Sequence, residues 1–205
     1  MRPALLLLLA ALAVPASAQT PPTTAAPPAQ PVNFTVPPAA AQDVASIDAI
    51  IKALYEVISG PVGQARDWNR LRSLFVPDAK MMPVGVRADG GAGMRLLRVN
   101  DYVALSGPML VERGFRETEL ARRTEQFGHI AHVFSTYEGK VEGGASPMRG
   151  INSIQLMHDG QRWWIVSLMW EAENPKLALP AQYLPARSKV SLSATPGGPP
   201  RARYR

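Results

Sequence analysis

The sequence predicts an α+β domain in which three N-terminal helices pack on one face of an antiparallel sheet. Two observations support this prediction. Helical periodicity is confined to residues 43–113, and strand-like alternation punctuated by glycine-rich turns occupies residues 115–172. A run of helices followed by a meander of strands is typical of domains whose helices cover one face of an antiparallel sheet. We therefore expect a single core between residues 43 and 186, a usual length for one domain.

The first predicted helix spans residues 43–59 and ends at Gly60-Pro61. Its apolar residues recur at spacings of three and four, which places them on one face: Val44, Ile47, Ile50, Ile51, Leu54, Tyr55 and Ile58. Asp67 is a suitable N-cap for a second, short helix, which carries Trp68, Leu71, Leu74 and Phe75 on one side. We expect Asn100 to cap a third helix that ends near Arg113-Gly114.

The strand predictions follow from period-two alternation between turn residues. They cover residues 79–86, 115–127, 129–140, 149–158 and 162–172, and Asp159-Gly160 is a strong hairpin signal. Strict alternation along the last strand places Trp164, Val166, Leu168 and Trp170 on one face, and Trp163, Ile165, Ser167 and Met169 on the other. Because both faces are apolar, we expect one to line the domain interior and the other to pack in a homodimer.

Residues 1–18 have the features of a secretory signal peptide. A short cationic start precedes the apolar run 4–14, and Ala16-Ser17-Ala18 supplies the small residues of a cleavage site. The run is shorter than the ~20 residues of a membrane-spanning helix, so we predict cleavage after Ala18 and no stable membrane anchor. These features are typical of a bacterial protein in the periplasm or the medium.

Two low-complexity segments flank the predicted domain. Residues 19–42 are rich in Pro and Ala and nearly uncharged, and residues 187–205 are basic, so both are predicted to be disordered. The net charge is +6, but the basic residues do not form a stripe interleaved with aromatic residues, so we predict no nucleic-acid partner. The chain has no cysteine, which excludes thiol nucleophiles and zinc–thiolate sites.

Two phrases, Leu74-Phe75-x-x-Asp78-Ala79 and Pro83-Val84-Gly85, together with the order of the predicted elements, resemble the nuclear-transport-factor-2-like superfamily. This superfamily includes ketosteroid isomerases, polyketide cyclases and many non-enzymes. The resemblance covers about residues 43–170. It implies a cone-shaped roll in which the helices pack on a strongly curved antiparallel sheet. It also implies a largely apolar pocket at the open end of the cone and a dimer formed through the convex sheet face.

The catalytic residues of ketosteroid isomerases are only partly matched. Those enzymes carry Asp-Pro-Val-Gly, where Asp shuttles the proton, and this chain has Met82 in its place. Met82 has no titratable group, so general-base catalysis at that position is excluded. The family's acidic hydrogen-bond donor corresponds to Asn152, and its helix tyrosine falls near Tyr55. We therefore assign no catalytic residue, and steroid isomerisation is not expected.

Histidine and glutamate residues are further candidates for metal binding or acid–base catalysis. His129 and His132 lie three apart on one predicted strand, so they point to opposite faces and cannot chelate one ion; we predict no metal site and no cofactor. His132 remains a candidate acid or base in the pocket. Glu117 and Glu119 share a strand face with Arg123; we interpret them as cross-strand salt bridges on an exposed or dimeric face, with a paired-carboxylate site as the alternative.

The predicted function is that of an exported module that binds a small hydrophobic molecule. Two other hypotheses stay open: a cofactor-free lyase or isomerase that uses His132 with Tyr55 or Asn152, and a dimerisation domain whose cone is filled by its own side chains. The candidate pocket residues are Tyr55, Trp68, Phe75, Met82, His132, Asn152, Leu168 and Trp170.

Overall fold

The computed structural model describes residues 36–87, 89–144 and 146–185. The predicted signal peptide, residues 19–35 of the predicted linker and the predicted C-terminal tail lie outside the described residues. Within the described part of the chain, no helix is long and apolar enough to span a membrane.

The described residues form four α-helices: α1 (Ala41–Val44), α2 (Ile47–Ile58), α3 (Trp68–Leu74) and α4 (Val99–Glu112). The predicted first helix is divided at Ser46, whose hydroxyl accepts a hydrogen bond from the Ala49 amide and caps α2. Asp67 caps α3 as predicted, through a 2.8 Å bond from the Arg70 amide.

The prediction that Asn100 caps the third helix was wrong. Helix α4 begins at Val99, two residues earlier than a cap at Asn100 implies. Its N-cap is Arg98, and the Asp101 carboxylate accepts from the Arg98 amide at 2.8 Å. Asn100 instead accepts a side-chain hydrogen bond from Arg72 at 2.7 Å, which links α4 to α3. The start of a helix has several backbone amides without an intrahelical partner. The carboxylate of Asp101, one position after Asn100, accepts a hydrogen bond from one of them, so the helix does not need Asn100 as its cap.

The sheet contains seven strands: β1 (Phe75–Val86), β2 (Ala92–Met94), β3 (Leu97–Arg98), β4 (Phe115–Phe127), β5 (Ile130–Val141), β6 (Met148–His158) and β7 (Trp163–Ala172). Their order is β2-β1-β7-β6-β5-β4, and β3 also pairs with β1. The α+β class and the curved sheet are confirmed. The sheet is mixed rather than antiparallel, because β1 pairs in parallel with β7, its partner across the long crossover through α4 and β4–β6.

Three register shifts interrupt the alternation of side chains between the sheet faces. The first lies in β1 between Phe75 and Lys80, and two more affect the predicted faces of β4 and β7. One lies in β4 between Glu119 and Ala121, and the other lies where β6 pairs with β7, between Ile165 and Ser167. An extra residue in one strand sends the side chains that follow to the opposite face. The strict alternation predicted for the last strand therefore fails: Ile165 and Leu168 are both buried in the core.

The core lies between the helices and the sheet face that they cover, here called the inner face. Its fully buried members come from α2, α3 and the central strands: Ile50, Ile51, Leu71, Leu74, Phe75, Val133, Ile154 and Ile165. The predicted hairpin is present, with Gly160 at φ 99° and the Asp159 carboxylate accepting from the Gln161 and Arg162 amides at 2.8 Å.

A C-terminal segment, residues 173–184, crosses the opposite, outer face of the sheet and is here called the strap. It starts with the Glu173 amide bonded to the Arg149 carbonyl at 2.8 Å, and it contains one turn of 3₁₀ helix, Ala181–Tyr183. Its far end is fixed by the Thr136 hydroxyl, which donates to the Tyr183 carbonyl at 2.6 Å.

Candidate functional site

A cavity of about 170 Å³ opens between α2, α4 and the inner face of the sheet, and we call it the inner cavity. Most of its wall is apolar, because each contributing strand presents its inward side chains there. The lining residues are Leu54, Ile58, Met81, Tyr102, Ser106, Met109, Leu110, Phe115, Glu117, Tyr137, Met148, Asn152, Leu168 and Trp170. A concave apolar wall with few polar groups is the usual form of a small-molecule site.

Among the described lining residues, Glu117 is the one that carries a carboxyl group. Strand β4 enters the core at Phe115, and two residues later the same alternation turns Glu117 inward. The Asn152 amide donates to its Oε1 at 3.1 Å. Burial raises the pKa of the Glu117 carboxyl to about 7, and the hydrogen bond from Asn152 offsets part of that rise. The group therefore exchanges its proton near neutral pH.

The residue keeps an intermediate exposure although its carboxyl group is enclosed, because the side chain faces a cavity that opens to solvent. Among the described residues, no donor is bonded to its second oxygen, Oε2. One oxygen of Glu117 is thus held by the protein, and the other is left for a molecule in the cavity.

A chain of hydrogen bonds runs from Glu117 into the core. Asn152 also donates to the Tyr55 hydroxyl at 3.1 Å, which lies 2.7 Å from the Ser135 hydroxyl. Ser135 donates its proton to Glu119 at 2.5 Å, so Tyr55 must donate to Ser135. This chain fixes the Asn152 amide and gives the buried hydroxyls of Tyr55 and Ser135 their partners.

Glu119 is neutralised in a different way from Glu117. Arg122 approaches its carboxylate at 3.2 Å and reaches Asp48 of α2 at 3.1 Å. The β4 register shift brings Arg122, and not the predicted Arg123, to the face of the two glutamates; Arg123 donates to the Gln182 carbonyl on the outer face. The interpretation of both glutamates as an exposed or dimeric salt-bridge face was therefore wrong for Glu117, which lies in the cavity wall without a basic partner among the described residues.

Two phenol groups complete the polar part of the wall. Tyr102 of α4 and Tyr137 of β5 are buried, and burial together with the negative charge of Glu117 raises the pKa of both. They stay protonated at neutral pH and can donate hydrogen bonds to a carbonyl or hydroxyl oxygen of a bound molecule. Tyr102 also packs edge-on against Trp170, with ring centroids 6.2 Å apart.

The predicted pocket residues divide into three groups. Asn152, Leu168 and Trp170 line the inner cavity, and Tyr55 lies behind Asn152 as its hydrogen-bond partner. Trp68, Phe75, Met82 and His132 are outside this lining. Phe75 is buried at the start of β1, and Trp68 packs against Gly107, where an added Cβ would lie 3.1 Å from the indole ring.

Met82 and His132 belong to the outer face. Met81 pairs with the inward Leu168 and lines the inner cavity, so its neighbour Met82 points away. The His132 ring is 3.0 Å from the Ser153 hydroxyl and 5.8 Å from the Phe134 ring, while the adjacent Ala131 and Val133 are buried in the core. His132 therefore cannot serve as an acid or base for a molecule in the inner cavity.

Sequence reasoning missed the roles of Glu117, Tyr102 and Tyr137. A usable signal existed for Glu117, since a carboxylate two residues after the buried Phe115 shares its face when alternation is regular. Tyr102 had no such signal, because the helix it belongs to was predicted without an assigned buried face. Within the described residues, no group of three metal-ligating side chains is close enough to hold an ion.

The comparisons with known proteins give structural likenesses at low sequence identity. No family model matches the chain, and no curated protein matches it in sequence. Among solved structures, an NTF2-like protein of unknown function from Pseudomonas putida is 9% identical, with 65% of this chain and 90% of that chain covered and a TM-score of 0.49. An NTF-2-like protein of unknown function from Silicibacter pomeroyi is 17% identical, with 63% and 94% covered and a TM-score of 0.44.

A putative ketosteroid isomerase from Parabacteroides distasonis is 10% identical, with 64% of this chain and 91% of that chain covered and a TM-score of 0.46. Identities this low say nothing about which reaction, if any, this protein catalyses. The function has to be argued from the geometry of the cavity itself.

Proposed function

We propose that this protein, which has a nuclear-transport-factor-2-like fold, binds a small, mostly apolar molecule in the inner cavity and holds one polar group of that molecule at Glu117. The observation that carries the proposal is a carboxyl group with one free oxygen in an otherwise apolar wall. A buried carboxyl without a basic partner is destabilising unless something compensates. A bound hydroxyl or carbonyl group would supply the missing partner.

The size of the cavity limits the ligand. Its volume of about 170 Å³ is roughly that of six water molecules in the liquid, at about 30 Å³ each. A single substituted ring fits this space, whereas a molecule the size of a steroid would extend beyond it. The polar group can be a donor when Glu117 is ionised or an acceptor when it is protonated, because the carboxyl titrates near neutrality.

Native mass spectrometry of the mature protein from its own host, followed by extraction and identification of any bound compound, gives the first test. A co-purifying compound with one polar group on an apolar body supports the proposal. A matched pair of probes then separates recognition of a polar group from apolar packing in the cavity. The two differ at one position, where p-cresol carries a hydroxyl and p-xylene carries a methyl group. We expect p-cresol to bind at least fivefold more tightly, and Glu117→Gln to reduce that preference.

Ser106→Phe provides a variant that fills the inner cavity and leaves the carboxyl in place, since Ser106 lines the cavity from α4. It should abolish probe binding with little loss of stability, and Glu112→Gln on the exposed end of α4 should leave binding unchanged. Absence of both a co-purified compound and probe binding to the wild-type protein would favour an interaction domain over a binding module.

A second candidate function, proton transfer, is favoured by the titration of Glu117 near pH 7. A general base is most effective when its pKa is close to the working pH. In this reaction Glu117 would take a proton from the carbon next to a carbonyl, and Tyr102 or Tyr137 would donate a hydrogen bond to the oxygen as it becomes negative. This replaces the hypothesis built on His132, which lies on the other face.

Deuterium exchange tests the second function without knowledge of the natural substrate. The protein is incubated with 3-methylcyclohex-2-enone in D₂O, and loss of the acidic protons is followed by NMR. Catalysed exchange should rise with pH to a plateau above about pH 7 and be lost in Glu117→Gln. If the wild-type protein exchanges the protons no faster than Ser106→Phe does, proton transfer is refuted and binding is the function of the cavity.

We also propose that the protein acts outside the cytoplasm, on the support of the sequence of residues 1–18. The proposed homodimer rests on the apolar character of the part of the outer face that the strap leaves uncovered. Sedimentation velocity of the mature protein tests the dimer, with a monomer at all concentrations as the contrary result.

A further inference from the structure

A second cavity of about 520 Å³ lies on the outer face of the sheet, beneath the strap. The sheet lies between it and the inner cavity, and Trp170 is the one described residue that lines both. Phe134, Ile151 and Met169 form its floor, and Leu177 and Leu179 of the strap form much of its roof. Its volume falls within the roughly 300–1,000 Å³ of typical small-molecule pockets, unlike that of the inner cavity.

The strap is fixed at both ends, so the outer cavity is bounded on both sides. At the near end, Glu173 forms a 2.6 Å ion pair with Arg149, and a turn is closed by reciprocal backbone bonds between Asn174 and Leu177 at 3.0 and 2.9 Å. At the far end, the Tyr183 ring packs edge-on against Phe134 at 5.0 Å. The apolar side chains of the strap do not fill the space between these anchors.

The charge of the outer cavity is negative. Glu171 and Glu173 line it, and no Lys or Arg is among its described lining residues. The carboxylate of Glu173 is neutralised by Arg149. Glu171, which lies beside Ile151 in the sheet register, forms no ion pair with any described residue. An apolar cavity with one unpaired carboxylate favours a ligand with an apolar body and a cationic group.

We propose that the outer cavity is a second binding site, independent of the inner one, for a small apolar molecule that carries an ammonium or similar cation, with Glu171 as the counter-charge and the strap as its roof. The enclosure by the strap distinguishes this site from a flat face awaiting a second copy of the chain. The strap also occupies part of the surface through which two copies would pack.

The test uses the full mature chain and three probes of equal shape: 4-phenylbutylamine, 4-phenylbutan-1-ol and 4-phenylbutanoate. Binding is measured by calorimetry, and the site is located from shifts of the backbone amide NMR signals. We expect the amine to bind most tightly and the carboxylate most weakly, with the largest amide shifts at Leu177 and Leu179. The amide NMR signals of α4, which lies beside the inner cavity, should not shift.

Two variants separate charge from space. Glu171→Gln should reduce the affinity for the amine at least fivefold, to about that for the alcohol, whereas Glu112→Gln on exposed α4 should not. Ala178→Trp, at an exposed strap residue that lines the cavity, should prevent binding of all three probes without disturbing the core.

Four results would overturn the proposal. They are the absence of saturable binding by all three probes, equal affinities for the amine and the carboxylate, amide shifts that map to α4 instead of the strap, and Ala178→Trp dissociating a dimer, which would make this face an interface between copies. Because the probes and the site variants differ from those used for the inner cavity, each site can fail its test without affecting the other.

Discussion

Replacing Glu117 with Gln should make the protein more stable at neutral pH and remove a specific pH dependence. The pKa of this carboxyl is about 7 in the folded protein and 4.5 as its ordinary value, so the folded state binds the proton more tightly. Below about pH 4.5 both states are protonated and there is no penalty. Stability is lost as the pH rises from 4.5 to 7, and above pH 7 the loss is complete.

The size of this loss follows from the same two values. At about 1.36 kcal/mol for each pH unit, the difference corresponds to roughly 3 kcal/mol. Water that reaches the cavity screens part of it, so we expect about 2 kcal/mol. The assay is urea unfolding of wild type, Glu117→Gln and the control Glu112→Gln at pH 5, 6, 7 and 8. The contributions of the other titrating groups cancel when the unfolding free energy of the wild type is subtracted from that of the variant.

The expected result is a difference in unfolding free energy that grows by about 2 kcal/mol in favour of Glu117→Gln between pH 5 and pH 8. The unfolding free energy of the control Glu112→Gln should change with pH as that of the wild type does, because Glu112 is exposed. A difference that is constant over this range would show that the carboxyl is not desolvated. The argument for a polar anchor in the inner cavity would then be refuted.

Three further predictions test the surroundings of the site and the N-terminus. Tyr55→Phe removes the hydroxyl between Asn152 and Ser135, and should reduce the unfolding free energy by about 1–3 kcal/mol in urea titrations, since two buried groups lose a partner. Arg66→Met should lower the unfolding free energy by roughly 3 kcal/mol, because the Arg66 guanidinium donates to three buried carbonyl groups. Arg113→Met, at an exposed position, should leave the unfolding free energy nearly unchanged in the same titrations. Edman sequencing of the protein exported by its host should begin at Gln19, and an intact Met1 would contradict the predicted signal peptide.

The fold was predictable because its signals are local. Helical spacing, the Asp67 cap and the Asp159-Gly160 hairpin each depend on a few neighbouring residues, and the structure has all three. The parallel pairing of β1 with β7 was not predictable in this way. It joins strands about 85 residues apart and is decided by how the crossover packs, which no local pattern records.

The site was harder to predict than the fold because it depends on which face each side chain occupies. A single register shift reverses that assignment for all later residues of a strand, as it did for Arg122 and Arg123 in β4. The family phrase directed attention to Met82, while the inward residue of that pair is Met81. Asn152 was identified correctly as a polar group in an apolar wall, but its partner Glu117 was assigned to the wrong environment.

The presence of a carboxyl group at Glu117 is the strongest physical reason to regard the inner cavity as functional. A glutamine could accept the same hydrogen bond from Asn152, and a leucine could fill part of the cavity, so neither the network nor the core requires a carboxyl here. The carboxyl instead costs about 2 kcal/mol at neutral pH, by the pKa difference worked out above. Local features that oppose stability without a structural return are typical of binding and catalytic sites. The neighbouring Glu119 provides the contrast, because Arg122 and Ser135 satisfy it and it needs no ligand.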